Sequence, residues 1–238
     1  MPIAIKIIIV LICSYFLGNI TFARQLSRAV KDDITTRGSG NPGTMNMMRT
    51  YGPKLGFLTL LLDALKGFVS CLCAYYIFGG KDGGQLSVLM EYVAGVCCFL
   101  GHIYPVIYKF KGGKGVATAA GIGLCINPLL MLGIGVFYFL FLLLCQMAGL
   151  TSMVSVAVFV AIQTVFLCLN GYYWCLIPLY FILVFVIFAH RANIVRMIKG
   201  TENKMGIRKI FKRKKKVENN DNSKQDVEIK NDAQNNEN

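Results

Sequence analysis

Between two strongly apolar stretches of this 238-residue chain lies the segment His102–Thr118, which holds three lysines (Lys109, Lys111, Lys114) and three glycines (Gly112, Gly113, Gly115). Charge at a membrane edge is costly and marks a functional site by default. Glycine lets the backbone approach a ligand and lysine supplies positive charge, so the pattern points to an anion, a phosphate above all. The candidate contacts are Lys111, Gly112, Gly113, Lys114 and Gly115. His102 is read either as a further contact or as a histidine packed near the end of a span. This is no nucleotide-binding P-loop: the glycine spacing differs, and Gly115 stands where Ser or Thr follows the lysine.

Two other segments carry similar chemistry. In Gly38–Arg49, the glycines Gly38, Gly40 and Gly43 permit a nest of backbone N–H groups. Ser39, Asn41 and Asn46 add side-chain donors, and Arg49 adds a planar fork matched to phosphate. An ordinary loop before the next span is the alternative. In His190–Lys204, the residues His190, Asn193 and Arg196 fall on one helical face. A basic collar explains the cations but not Asn193 or Glu202. Ser152 either reaches the same site or caps a helix. Asp63 and Lys66, three apart within an apolar run, read as a structural ion pair.

The elements that must position these groups are membrane helices. The chain is 55% hydrophobic with a mean hydropathy of +0.55, too apolar for one soluble core. The predicted class is all-α: a polytopic integral membrane protein of about seven transmembrane helices with cytoplasmic active-site loops. The apolar runs are Ile3–Phe22, Leu55–Phe78, Leu86–Tyr108, Val116–Ala148, Met153–Leu169 and Trp174–Ala189. The fourth is too long for one helix, and Asn127-Pro128 divides it into Val116–Ile126 and Leu129–Ala148. Lysine and arginine crowd three places: Arg24–Lys54, Lys109–Lys114 and the C-terminal region. All three lie in the cytoplasm only if the span count is odd and the N-terminus is outside. Seven spans satisfy this, as do five with a re-entrant pair.

The domain plan is a transmembrane unit over 1–206, a basic membrane-surface segment over 207–216 and a disordered polar tail over 217–238. The formal net charge is +13, but the basic residues flank spans, so anionic lipid headgroups at the basic tail are the expected partner rather than nucleic acid. The nine cysteines sit in or beside apolar runs without a CxxC pair. They read as soft hydrophobes, with no metal site and no cofactor expected.

The three polar segments, in this order and on one membrane face, resemble the bacterial acyl-phosphate:glycerol-3-phosphate acyltransferases, the PlsY family. The likeness runs from about Ser14 to Gly206. It rests on Gly38–Arg49, on Gly101-His102-x-x-Pro105 continuing to Phe110–Thr118, and on His190-Arg-x-Asn-Ile-x-Arg196 with Gly200, Glu202 and Lys204. Asp63-x-x-Lys66-Gly67 matches as well. The resemblance implies acyl transfer from acyl phosphate to the sn-1 hydroxyl of glycerol 3-phosphate, in the bacterial inner membrane; the oligomeric state is left open, with a monomer as the expectation. It implies that Ser39, Arg49, His190 and Asn193 belong to the catalytic site and that Lys111 and Gly112–Gly115 form the glycerol-phosphate loop. Lys114 is assigned to a phosphate oxygen and Glu202 to holding the third segment. One departure is Thr44-Met45, where the family places Ala-Thr: the hydroxyl is displaced by one residue.

Three rival readings are weaker. A phosphate transporter needs polar groups along a path to both faces, and here they crowd one. Acyl-CoA-dependent acyltransferases carry His-x-x-x-x-Asp, which follows neither His102 nor His190. A non-catalytic scaffold would tolerate loss of Arg49.

Overall fold

The computed structural model describes residues 1–205, so the basic segment 207–216 and the tail 217–238 lie outside the described residues. Among the described residues all regular structure is helical. The α-helices are α1 (Ile3–Asn19), α2 (Phe22–Ala29), α3 (Thr44–Tyr51), α4 (Pro53–Ile77), α5 (Gly84–Ile103), α6 (Val116–Ile126), α7 (Pro128–Cys145), α8 (Ala148–Leu169), α9 (Leu176–Ala189) and α10 (Arg191–Ile198).

Five segments are long and apolar enough to cross a membrane, and α9 with α10, bent by 51°, makes a sixth. The apolar α6, at 11 residues, is shorter than a full span, so the described residues approach the expected seven spans without α6 counting as a complete one. Large apolar side chains such as Leu129, Leu132, Val136, Phe139 and Leu144 of α7 lie on the outside of the bundle. An apolar exterior of this extent is what a lipid-facing surface demands.

The split of the fourth run falls at the expected place. Asn127 ends α6 and caps α7, its Oδ1 accepting the Leu130 N–H at 3.2 Å, and Pro128 takes the first position of α7, where no donor is needed. The other boundaries moved. The next helix begins at Ala148 rather than Met153, so Ser152 lies inside α8 and caps nothing; its hydroxyl donates back to the Ala148 carbonyl at 2.8 Å. The first run stops at Asn19, and α2 follows as a separate short helix carrying Arg24 and Arg28, both over the Tyr108 ring.

α5 is the central helix, packed against α1, α4, α6 and α9. Where α1 crosses α5, a side chain on Gly18 would run into Cys98 and Gly101, and one on Gly101 into Tyr15 and Gly18. Where α4 crosses α6, Gly121 lies on Ala64 and Gly67 on Thr118. Lipid gives helices no hydrophobic reason to associate, so small residues that admit close backbone contact take over that work.

At the hub of these crossings is a buried ionic knot. Lys66 Nζ lies 2.8 Å from Asp63 Oδ1, and both side chains are almost wholly enclosed. The ammonium donates to the carbonyls of Gly18 (3.1 Å) and Ile20 (2.7 Å) and meets His102 Nδ1 at 2.9 Å. An ammonium has donors alone, so Nδ1 accepts and the ring proton belongs on Nε2. Its three protons thus go to the end of α1 and to α5, and Asp63 balances its charge from α4. Replacing Lys66 with Met leaves the Asp63 carboxylate buried without its cation. The expected cost is about 3–5 kcal/mol, read as a lower unfolding temperature in detergent. The double variant Asp63→Leu with Lys66→Met should recover much of it. An unchanged unfolding temperature in Lys66→Met would show that the knot holds nothing.

Candidate active site

The loop before α3 is held by one side chain. Asn46 is buried; its Oδ1 accepts the Ser39 N–H at 3.0 Å, and its Nδ2 donates to the carbonyls of Arg37 (2.9 Å) and Ile34 (3.3 Å). Gly38 adopts a left-handed φ of 55°, and a Cβ there would strike the Asn46 amide, so glycine is required twice over. The Gly40 N–H bonds the Arg37 carbonyl and the Gly43 N–H that of Asn41. This overturns the expected nest: the N–H groups of Ser39, Gly40 and Gly43 are spent within the loop, and Asn46 builds the loop rather than facing a ligand. Asn41 lies against Gly43, half-buried. What the segment presents outward is the exposed Ser39 side chain and, from the last turn of α3, Arg49. The Thr44 hydroxyl is buried with no hydrogen-bond partner among the described residues.

The glycine–lysine segment is also more enclosed than its sequence implies. Gly112 donates its N–H to the Ile103 carbonyl and Gly113 to that of His102, both at 3.1 Å. A side chain on Gly112 would collide with the end of α5, and one on Gly113 with the His102 ring and the Pro42 carbonyl. These two glycines therefore lay the segment tightly on α5; they are not a phosphate cradle. His102 is only 2% exposed and bound to Lys66, which corrects its expected place among the ligand contacts. Gly115 packs on Phe99 with φ of 80° and serves as the N-cap of α6. No side chain caps that helix, so its first N–H groups remain available beside Lys114. Lys111 points elsewhere in role: it is exposed, and its carbonyl accepts from Arg24 at 2.9 Å.

Lys114 turns inward and donates to Asn193 Oδ1. Asn193 Nδ2 donates to Glu202 Oε1 at 2.6 Å, and Arg196 Nε donates to Glu202 Oε2 at 2.9 Å. Gly149 at the start of α8 lies directly on Asn193, which leaves no room for a larger residue there. His190, at the bend between α9 and α10, is buried, with Nδ1 2.8 Å from the Val186 carbonyl. That contact requires the proton on Nδ1 and leaves Nε2 as a free acceptor. Arg49 reaches across to the Asn203 carbonyl at 3.4 Å, and the Met205 N–H bonds the Gln146 carbonyl at 2.8 Å.

The fold thus gathers Arg49, Lys114, His190, Asn193, Arg196 and Glu202 at one end of the bundle. Two arginines and Lys114 face a single carboxylate, a surplus of two positive charges while Lys114 is protonated, which suits a phosphate dianion. The sequence reading missed the strap formed by Asn203 and Met205, which no residue spacing announces. It also missed Gly149, whose role is apparent only once α8 lies against α10.

Comparison with known proteins agrees with this geometry. A family model described as glycerol-3-phosphate acyltransferase matches residues 8–200. The glycerol-3-phosphate acyltransferase of Finegoldia magna is 39% identical over 203 residues, covering 84% of this chain and 96% of that one. The glycerol-3-phosphate acyltransferase of Clostridioides difficile is 35% identical, covering 85% and 97%. Among solved structures, PlsY (YgiH), an integral membrane glycerol 3-phosphate acyltransferase, superposes in its glycerol 3-phosphate form with a TM-score of 0.76 at 33% identity, over 86% of this chain and 98% of that one. Its lysophosphatidic acid form gives 0.73 at 34% identity, over 84% and 95%.

Burial, and then the nearby Arg196 and Arg49, bring Lys114 from its ordinary value down to about 8, with Glu202 opposing. The charged form binds an anion, so affinity for the phosphate dianion, present above about pH 6, should be full up to about pH 8 and decline as the pH rises through that value. Calorimetric titration with glycerol 3-phosphate should show about a tenfold loss per pH unit above it. Lys114→Arg should flatten the profile. A wild-type profile already flat well above pH 8 would remove Lys114 from anion binding.

Proposed function

The chain belongs to the glycerol-3-phosphate acyltransferase family, and on that premise we propose that it transfers a fatty acyl group from acyl phosphate to the sn-1 hydroxyl of glycerol 3-phosphate. The products are 1-acylglycerol 3-phosphate, which is lysophosphatidate, and inorganic phosphate, an early step of bacterial phospholipid synthesis. The observation that carries this reading is the surplus of positive charge where Arg49, Lys114 and Arg196 converge on Glu202. Both substrates bring phosphate, and in a low-dielectric setting their charge must be met by fixed cations.

Lys114, steadied by Asn193, binds a phosphate oxygen together with the free N–H groups that open α6. Asn193 is accordingly a positioning residue as well, since its amide joins Lys114 to Glu202. Arg49 and Arg196 complete the phosphate contacts, and Ser39 donates its hydroxyl to phosphate or to the developing carbonyl oxyanion. Ser152 is buried and bonded to its own helix, so its part is confined to shaping the wall. The glycerol hydroxyl oxygen attacks the acyl carbonyl carbon, a tetrahedral oxyanion forms, and the bond to the phosphate oxygen breaks. Phosphate is a good leaving group, so alignment supplies much of the acceleration. The hydroxyl proton passes to a substrate phosphate; His190 Nε2 is the protein acceptor if one acts.

The acyl chain lies between helices in the apolar layer. We place the protein in the bacterial plasma membrane as a monomer, with the N-terminus outside and the site and C-terminus cytoplasmic, because that orientation puts the basic segments inside. The basic segment 207–216 then meets anionic headgroups.

Purified protein supplied with radiolabelled glycerol 3-phosphate should form lysophosphatidate from palmitoyl phosphate and none from palmitoyl-CoA. Arg49→Ala and Lys114→Ala should each lose about a hundredfold or more in turnover. Product from the CoA thioester would overturn the donor. In the same assay, His190→Gln with full turnover and an unaltered pH profile would assign the proton to substrate phosphate.

A further inference from the structure

At the opposite end of the bundle is a cavity of about 440 Å³, within the size range of small-molecule sites, about 300–1,000 Å³. It lies where the carboxyl ends of α4 and α8 meet the first half of α5 and the break between α6 and α7. Glu91 lines it, eleven residues before His102 on α5, which is about 17 Å along that helix. The acyltransferase reading gives Glu91 no task.

Glu91 is 8% exposed and has no ion pair among the described residues; its carboxyl meets only the thiol of Cys125, a weak donor that also lines the cavity. Its polar neighbours are already committed. Asn127 Nδ2 donates to Gln163 Oε1 at 3.0 Å, and Gln163 Nε2 donates to the Tyr92 hydroxyl at 2.9 Å. That network fixes Tyr92 in the wall, where Tyr75, Tyr76 and Tyr172 join it. No lysine, arginine or histidine lines the cavity, so an anion has nothing to bind there. Nor do the described residues offer the cluster of acidic or imidazole ligands that a metal ion needs. A carboxyl without a cationic partner, in a wall that also holds four tyrosines, suits an organic cation instead, which gains from the charge and from aromatic contact together.

We propose that this cavity binds an ammonium group, carried either by a lipid headgroup or by a free amine. Native mass spectrometry of the full chain, with phosphatidylethanolamine and phosphatidylglycerol offered separately, tests the lipid source. Thermal unfolding with ethanolamine or choline tests the free amine. The expected result is selective retention of phosphatidylethanolamine, or a rise in unfolding temperature with the amines, in either case weakened about tenfold in Glu91→Gln, as loss of one charge-assisted contact implies. Tyr76→Ala, at an exposed position, should weaken the same signal and guards against a folding defect in Glu91→Gln. Glu91→Gln should retain acyl transfer. Equal retention of both lipids by wild type and variants, with no amine response, would overturn the site.

Discussion

A lysine withdrawn from water must find its acceptors in the protein, and in this fold Lys66 finds them on two other helices. Its bonds to Gly18 and Ile20 hold the end of α1, its contact with His102 holds α5, and Asp63 keeps its charge balanced on α4. Much of the candidate site's end of the bundle follows from that arrangement. With His102 fixed, its carbonyl accepts from Gly113 and its ring forms the floor under the same glycine. The segment 112–115 is thereby laid flat on α5, and Lys114, just before α6, is delivered to Asn193 on α10. Each step is a close contact that a side chain in place of glycine would prevent.

Lys66 and Lys114 show how one residue type serves opposite ends. Lys66 has as many carbonyl and ring acceptors as it has protons and a carboxylate of its own, so nothing is left over for a ligand. Lys114 shares one carboxylate with Arg49 and Arg196, and it reaches that carboxylate only through Asn193. A balanced lysine is mortar, whereas an unbalanced cluster is poised to gain an anion. The electrostatic ledger of the surroundings, rather than the residue, separates the two.

Much of this was legible in the sequence. Hydropathy marks the apolar helices, about seven as expected, and Asn127-Pro128 marks the division of α6 from α7 because proline fits only the opening turn. The three polar segments could be picked out because charge amid apolar runs has few structural excuses. Their inner workings could not. Glycine permits a nest of free N–H groups and equally permits tight packing, and the same letters describe both. Gly112 and Gly113 turned out to pack, as did the loop around Asn46, because the carbonyls that consume their N–H groups come from α5 and from the loop itself. His102 was ambiguous for the same reason: its partner Lys66 is thirty-six residues away, and its burial depends on a crossing that local pattern does not encode.

The shortness of α6 ties the two ends together. At 11 residues it rises about 17 Å, little more than half of the hydrocarbon thickness of about 30 Å. Backbone that ends at such a depth has to be satisfied by protein, since lipid offers no hydrogen bonds. At one end, Gly115 leaves the first N–H groups of α6 beside Lys114, where they add to a positive surplus. At the other end, Asn127 caps the next helix and engages Gln163, which holds Tyr92 beside Glu91. A full-length span would have carried apolar side chains through both depths. The broken one instead sinks polar groups into the layer from each end, Lys114 and its arginine neighbours at one and the Glu91 carboxyl at the other.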